Sequence, residues 1–214
     1  VTCTGTPTAG TAAVAVSPIC LGQSGTLCLS GQSAGLGITV QWRSSATPGG
    51  PYTDLCGNGN CFNTGSITAG TYYIVAVVTC TATGNSSTSN EVTLVVNPNP
   101  TAAVTPATST NICVGVPVTL TASGGVTYSW SPATGLNTTS GAVVIATPLV
   151  NTTYTVTVSD AAGCSATATA SITVIPSPVI TATATPASVC NGGMSQLQAG
   201  TAPATYCASS HASG

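Results

Sequence analysis

Three copies of one short cysteine motif set the frame for this chain. Ile19-Cys20-Leu21-Gly22 recurs as Ile112-Cys113-Val114-Gly115 and as Val189-Cys190-Asn191-Gly192. An alternating segment follows each copy: Thr26-Leu27-Cys28-Leu29-Ser30, Thr119-Leu120-Thr121-Ala122-Ser123 and Gln196-Leu197-Gln198-Ala199-Gly200. Proline-bearing links precede the second and third copies, at Asn97-Pro98-Asn99-Pro100 and Pro176-Ser177-Pro178. The motif cysteines, at 20, 113 and 190, stand 93 and then 77 residues apart. Solenoid repeats run at about 20 to 50 residues and a β-sandwich at about 100, so this period predicts tandem sandwiches. The expected domains are 1–98, 99–176 and an incomplete third repeat at 177–214. Two strands alone are marginal in water. The third repeat is therefore expected to be completed by sequence beyond the chain, by another subunit or by packing on the second domain.

Within a repeat the pattern is short strands and turns. Thr153-Tyr154-Thr155-Val156-Thr157-Val158 and Ile172-Thr173-Val174 alternate with the period of two that a half-buried strand shows. Glycine, proline and asparagine punctuate at Pro48-Gly49-Gly50-Pro51 and Cys56-Gly57-Asn58-Gly59-Asn60. No stretch repeats convincingly at helical period, and Val, Thr, Ile and Tyr suit a pleated surface.

Ten cysteines point to an oxidising compartment. Zinc fits poorly, because no Cys-x-x-Cys pair occurs and the single histidine, His211, lies near the end. In the first repeat Cys28 sits in the second strand, Trp42 follows in Ile38-Thr39-Val40-Gln41-Trp42, and Cys80 ends the run from Tyr72. That order is the core pin of the immunoglobulin fold, an inter-sheet disulfide packed on a buried indole. It predicts a Cys28–Cys80 bond over a core Trp42. The second repeat keeps core Trp130 in Tyr128-Ser129-Trp130 but has Thr121 where Cys28 would align, so Cys113–Cys164 is the expected pair. Cys56 and Cys61 are expected to close a small local loop. The pairing of Cys3, Cys20, Cys190 and Cys207 stays open, and each is a candidate for a bond between subunits. The fold class expected is all-β: tandem immunoglobulin-like β-sandwich domains, disulfide-stapled.

Only 2% of the residues are charged, against roughly 25% in an average soluble domain. They are Arg43, Asp54, Glu91 and Asp160. One arginine cannot neutralise a phosphate backbone, so nucleic acid is excluded as a partner, and anionic lipid with it. The longest apolar run, Tyr72 to Val78, falls far short of the roughly 20 residues of a membrane span. The sequence opens on strand-like residues, so any leader is expected to have been removed or to lie outside it. Soluble β-proteins shield strand edges with lysine, inward charges or proline, and this chain has one cation. Its edges are therefore expected to pair with neighbours, unless surface glycans supply the solubility.

Residues for chemistry are scarce. His211 sits in a Ser/Ala/Gly tail and reads as solvated. Asp54 and Asp160 fall in loops of different domains and so do not form a glycosidase pair. Glu91 reads as a strand-edge or turn residue and Arg43 as a solvated cation facing away from the core. The carboxylates do not cluster as calcium would require. No cofactor or metal is expected, and no catalytic residue. Trp42 and Trp130, with Tyr72, Tyr73 and Tyr154, read as core or corner residues rather than sugar-stacking platforms. Asn85-Ser86-Ser87, Asn137-Thr138-Thr139 and Asn151-Thr152-Thr153 match the N-glycosylation pattern, which is usually incidental in a bacterial protein, and abundant Ser and Thr leave O-glycans open.

The chain resembles the immunoglobulin-like and PKD-like repeats of very large secreted surface proteins and adhesins of Bacteroidetes-type bacteria. The Ile-Cys-x-Gly opening carries the resemblance, together with Gly49-Gly50-Pro51-Tyr52, Thr71-Tyr72-Tyr73, Ser89-Asn90-Glu91-Val92 and Asp160-Ala161-Ala162-Gly163-Cys164. It spans roughly residues 8 to 200, and Ala204 to Ser210 is similar to the opening of another module found in such proteins. The resemblance implies a non-catalytic role as stalk, spacer or adhesive array, outside the cell. The expected function is a structural subunit or segment of an extracellular filament or adhesin stalk, assembling head-to-tail with itself. The alternative is a carbohydrate-binding or spacer module of a secreted multidomain protein.

Overall fold

The computed structural model describes residues 2–107, 110–177, 182–185, 187–188 and 190–200, the side chain of Ala199 excepted. They are strand, turn and loop throughout. Two compact units emerge, Val1–Pro100 with Asp160–Ser165, and Thr101–Ser159 with Ala166–Gly214.

The first unit contains β1 (Thr11–Val14), β2 (Ile19–Cys20), β3 (Ser24–Ser30), β4 (Ile38–Ser45), β5 (Thr53–Asn58), β6 (Cys61–Ser66), β7 (Gly70–Cys80), β8 (Ser86–Thr88) and β9 (Val92–Asn97). One sheet runs β1-β3-β6, the other β2-β9-β7-β4-β5, with β8 also on β7. The parallel β2–β9 pair carries the first strand across to the second sheet, as immunoglobulin-type sandwiches do. Alternation builds the core: Leu27 and Leu29 on β3, Val40 and Trp42 on β4, Ile74, Ala76 and Val78 on β7, and Leu94 and Val96 on β9 all turn inward. Trp42 is 0% exposed, and its indole N–H donates to Gly59 O at 2.9 Å. The Tyr72 hydroxyl donates to Thr68 O at 3.0 Å, which makes the tyrosine corner at the entry to β7.

The second sandwich contains β10 (Ala103–Thr105), β11 (Thr110–Cys113), β12 (Val118–Ser123), β13 (Thr127–Ser131), β14 (Val143–Ala146), β15 (Thr152–Ser159) and β16 (Ser165–Ile175). Its sheets run β10-β12-β14 and β11-β16-β15-β13. Trp130, Tyr154, Val156, Val158 and Leu120 centre the core. The Trp130 indole donates to Gly141 O and the Tyr154 hydroxyl to Thr134 O, at 2.9 and 2.8 Å. Because inward positions are apolar, the outward positions of β13, β15 and β16 fall on Thr127, Ser129, Ser131, then Thr153, Thr155, Thr157, Ser159, then Ser165, Thr167, Thr169, Ser171, Thr173. That outer face is serine and threonine as far as Thr173, with Ile175 ending the same row on β16. Later in the chain, β17 (Ala182–Thr185) and β18 (Gln196–Ala199) form an antiparallel ribbon; Leu197 is exposed.

The disulfides differ from the expected set. Cys28 bonds Cys61, not Cys80. Leu27 and Leu29 hold the inward positions of β3, so Cys28 points out of the sheet, where Cys61 lies directly opposite on β6. The Cα atoms are 4.1 Å apart, a cross-strand rather than inter-sheet bond. Cys80, which does face inward, bonds Cys3 instead. Cys56 is a free, exposed thiol. It cannot close a loop with Cys61, because β5 and β6 belong to opposite sheets and alternation turns the two side chains out of opposite faces. Cys164 bonds Cys20. Cys113 is itself disulfide-bonded, but not to Cys164. It stands beside Ile175 at the far end of β16, whereas Cys164 precedes Ser165 at the near end. The eleven residues of β16 span about 35 Å, and a disulfide bridges Cα atoms only up to about 7 Å apart. Cys190 is a second free, exposed thiol. Cys207, His211 and the segment Ala204 to Ser210 lie outside the described residues.

Candidate functional site

Charge and amide groups concentrate at Ser89-Asn90-Glu91, the loop between β8 and β9, and each residue there fastens a different piece of the first sandwich. Ser89 is buried and pairs with Ala76 of β7: its amide donates to Ala76 O, and Ala76 N donates to its hydroxyl, both at 2.9 Å. Asn90 lies against β1. Its side-chain oxygen accepts from Ala12 N at 2.8 Å and its amide donates to Ala12 O at 3.0 Å. A carboxamide offers a donor and an acceptor spaced like a peptide group, so Asn90 closes the outer edge of β1 as a neighbouring strand would. Glu91 reaches the Pro48–Tyr52 turn, where its Oε2 accepts from Gly49 N at 2.9 Å and from the Tyr52 hydroxyl. Two motifs quoted above, Gly49-Gly50-Pro51-Tyr52 and Ser89-Asn90-Glu91-Val92, thus meet in space.

The Tyr52 hydroxyl, and after it the Gly49 amide, holds the Glu91 carboxyl below the usual carboxylate range. The same hydrogen bond, then desolvation and the carboxylate charge, raises the Tyr52 phenol. A carboxyl with a depressed folded pKa stabilises the fold above its unfolded value, and that contribution is lost as pH falls through the folded value. The Gly49 amide resonance is therefore expected to titrate below the ordinary glutamate range, and Glu91→Gln to abolish that titration. A Gly49 resonance unmoved between pH 7 and 2 would remove Glu91 from the turn.

The remaining charges are similarly occupied. Arg43 is not a lone solvated cation. It is the Cα partner of Asp54 across β4 and β5, and the two side chains form an ion pair. Both are exposed, so the pair contributes little to stability. Asp160 caps its own turn, Oδ1 accepting from Ala162 N and Cys164 N at 2.9 Å each. Desolvation by burial pushes the Tyr154 phenol up.

Asparagine also manages edges in the second sandwich. Asn137 Oδ1 accepts from Ile145 N at 2.7 Å and Asn137 N donates to Ile145 O at 3.0 Å, which covers the outer side of β14. Asn151 Oδ1 accepts from Val174 N at 2.8 Å, on β16. The expectation of unshielded edges therefore needs correction, because amides at β1 and β14 do what lysine does elsewhere. Sequence reasoning placed Asn90 in a family motif and Asn137 in a glycosylation pattern but gave neither an edge-closing role, although an asparagine beside a strand-edge residue in an uncharged chain is a readable signal. β5 remains the outermost strand of its sheet and carries the Cys56 thiol.

An open hollow of 360 Å³ lies at one end of the first sandwich, lined by Ser33, Gly35, Thr39, Asn58 and Asn60 among others. Among the described residues no group of three or more His, Cys, Asp or Glu side chains could hold a metal ion. Nor is any helix among them long and apolar enough to cross a membrane.

Residues 7–98 match the family model described as Ig-like domain CHU_C associated. No curated protein matches the chain. Among solved structures it is similar to the three N-terminal domains of the Highly Immunogenic Outer Capsid protein of bacteriophage RB49, at 18% identity and a TM-score of 0.34, over 81% of this chain and 60% of that one. It is also similar to the CbhA fibronectin(III)-like modules of Clostridium thermocellum, at 12% identity and a TM-score of 0.37, over 77% of this chain and 94% of that one. An I-band fragment from titin is similar at 17% identity and a TM-score of 0.34, over 89% of this chain and 76% of that one. The chain thus spans less than two thirds of the phage fragment.

Proposed function

We propose that this chain, an immunoglobulin-like tandem whose residues 7–98 belong to the Ig-like family described as CHU_C associated, is a non-catalytic structural segment of an extracellular bacterial filament or adhesin stalk. Domains of this kind belong to surface and secreted proteins of Bacteroidetes-type bacteria. One observation carries the reading: the polar groups that could do chemistry are engaged in fastening the fold. Glu91 and Asp160 hold turns, Arg43 and Asp54 hold each other, and Ser89 and Asn90 hold strands. Seven cysteines among the described residues are oxidised, and disulfides make a domain costly to unfold.

A sugar-binding role would want aromatic faces in solvent. Trp42 and Trp130 are 0% and 3% exposed, with their N–H groups satisfied inside, which favours the structural reading. Association between copies falls to the outermost strand β5, where an added strand would find an unshielded edge. Repeated heterologously, such a contact gives a filament. Negative-stain electron microscopy of the native material tests this directly. Regular fibres are expected; dispersed short rods would leave only the stalk reading, and a partner sugar retained on an affinity column would favour the binding module instead.

A further inference from the structure

The three Cys-x-Gly turns are one structure as well as one sequence. In each, the cysteine carbonyl accepts from the amide three residues on: Gln23 N to Cys20 O at 2.9 Å, Val116 N to Cys113 O at 3.0 Å, and Gly193 N to Cys190 O at 2.8 Å. In each, the glycine takes a positive φ, 93° at Gly22, 80° at Gly115 and 88° at Gly192. This is the turn geometry that requires glycine at its third position. The turn sets the cysteine at the last residue of its strand in the first two repeats.

The redox states of the three cysteines differ. Cys20 is bonded to Cys164, in the turn between β15 and β16, and Cys164 belongs in sequence to the following repeat. Cys113 is oxidised. Cys190 is an exposed thiol. The turn that presents Cys164 is built for presentation: Asp160 Oδ1 accepts from Ala162 N and Cys164 N at 2.9 Å each, Asp160 N donates to Cys164 O at 2.9 Å, and Gly163 takes a φ of 83°. A motif cysteine thus meets a turn cysteine at Cys20–Cys164, Cys113 is bonded elsewhere, and the motif cysteine Cys190 is free.

We propose that Cys190 is a cross-linking site, forming a disulfide with a cysteine that another immunoglobulin-like repeat presents in an Asp-x-x-Gly-Cys hairpin turn. The two thiols lose two protons and two electrons as the S–S bond forms, and an oxidising disulfide of the extracellular environment takes up both and becomes a dithiol. The partner repeat comes from the same polypeptide or from a separate chain, and the chemistry is shared. Cys56, the other free thiol among the described residues, lies mid-strand on β5 without the motif turn and is not part of this joint. The proposal deepens the structural reading by naming the covalent joint between repeats.

The test is thiol trapping in the secreted protein. N-ethylmaleimide is added before any reductant, and the unreduced digest is mapped by mass spectrometry. The Cys190 peptide is expected to be linked to a peptide carrying Asp-x-x-Gly-Cys, with no maleimide on Cys190. On a non-reducing gel, a single-chain mass assigns the partner to the same polypeptide, and a ladder that collapses with reductant assigns it to a separate chain. Cys190→Ser, at an exposed site, should leave Cys20–Cys164 intact and remove the link. Maleimide on Cys190, or a Cys190–Cys56 bond, overturns the proposal. Fibres whose Cys190 carries maleimide would sink the cross-link and keep the filament; a mapped link in dispersed rods would do the reverse.

Discussion

Replacing Trp42 by alanine is expected to cost the first sandwich about 3–5 kcal/mol and to lower its unfolding midpoint by roughly 15 °C or more. The indole is 0% exposed, sits among Leu27, Val40, Ile74, Val78 and Leu94, and is tied to Gly59 O at 2.9 Å. Alanine would leave a cavity that the surrounding β-ladders, with β3 tied to β6 by Cys28–Cys61 and the chain before β1 tied to β7 by Cys3–Cys80, cannot collapse to fill. Against a domain stability of about 5–15 kcal/mol the loss is close to decisive. Scanning calorimetry reads it, and Trp130 fluorescence provides a separate report from the second sandwich. A midpoint shift under about 4 °C would mean that the indole is not packed as described.

The second large effect is at the bond between Cys3 and Cys80, which closes a loop of 77 residues. Chain-entropy reasoning gives about 4.5 kcal/mol for such a loop. Cys3→Ala with Cys80→Ala is expected to approach that loss, and alanine rather than serine avoids leaving a hydroxyl at Cys80, which is 1% exposed. The loss should also have an address. Without the bond, the start of the chain around Cys3 keeps hydrogen bonds such as Cys3 N to Leu36 O at 3.1 Å, while Pro7 and Ala9 stay buried further along. Amide exchange at Cys3 is therefore expected to speed up well before exchange along β7. Equal protection in the variant and the parent would show that the bond contributes nothing locally. Removing Cys28–Cys61, with its separation of 33 residues, is expected to cost less, about 3.5 kcal/mol.

The sandwich class, the two core tryptophans and the strand character of each repeat were readable because all three rest on local alternation. The bonding of the cysteines was not, because it depends on the face each one occupies. The order Cys28–Trp42–Cys80 matched the usual pin, yet Leu27 and Leu29 already claim the inward parity of β3, and that detail was there to be read. Separating Cys113 from Cys164 required the register of β11 on β16, which no local pattern encodes. Cys20–Cys164 spans 144 residues, beyond any spacing rule. Asn90 and Glu91 illustrate the same limit: a motif shows which side chains are present, but only the fold shows that one reaches β1 and the other the Pro48–Tyr52 turn.

The serine and threonine face of β13, β15 and β16 bears on how this molecule behaves as a colloid. A hydroxyl that leaves water for a partner exchanges one hydrogen bond for another at little net gain, so the face has small reason to dry against a neighbour. Surfaces kept apart by charge lose that protection in salt, where fields fade within about 10 Å at 0.1 M. Hydration held by hydroxyls has no such dependence. Brine, fresh water and mild acid should therefore all find that face equally wet.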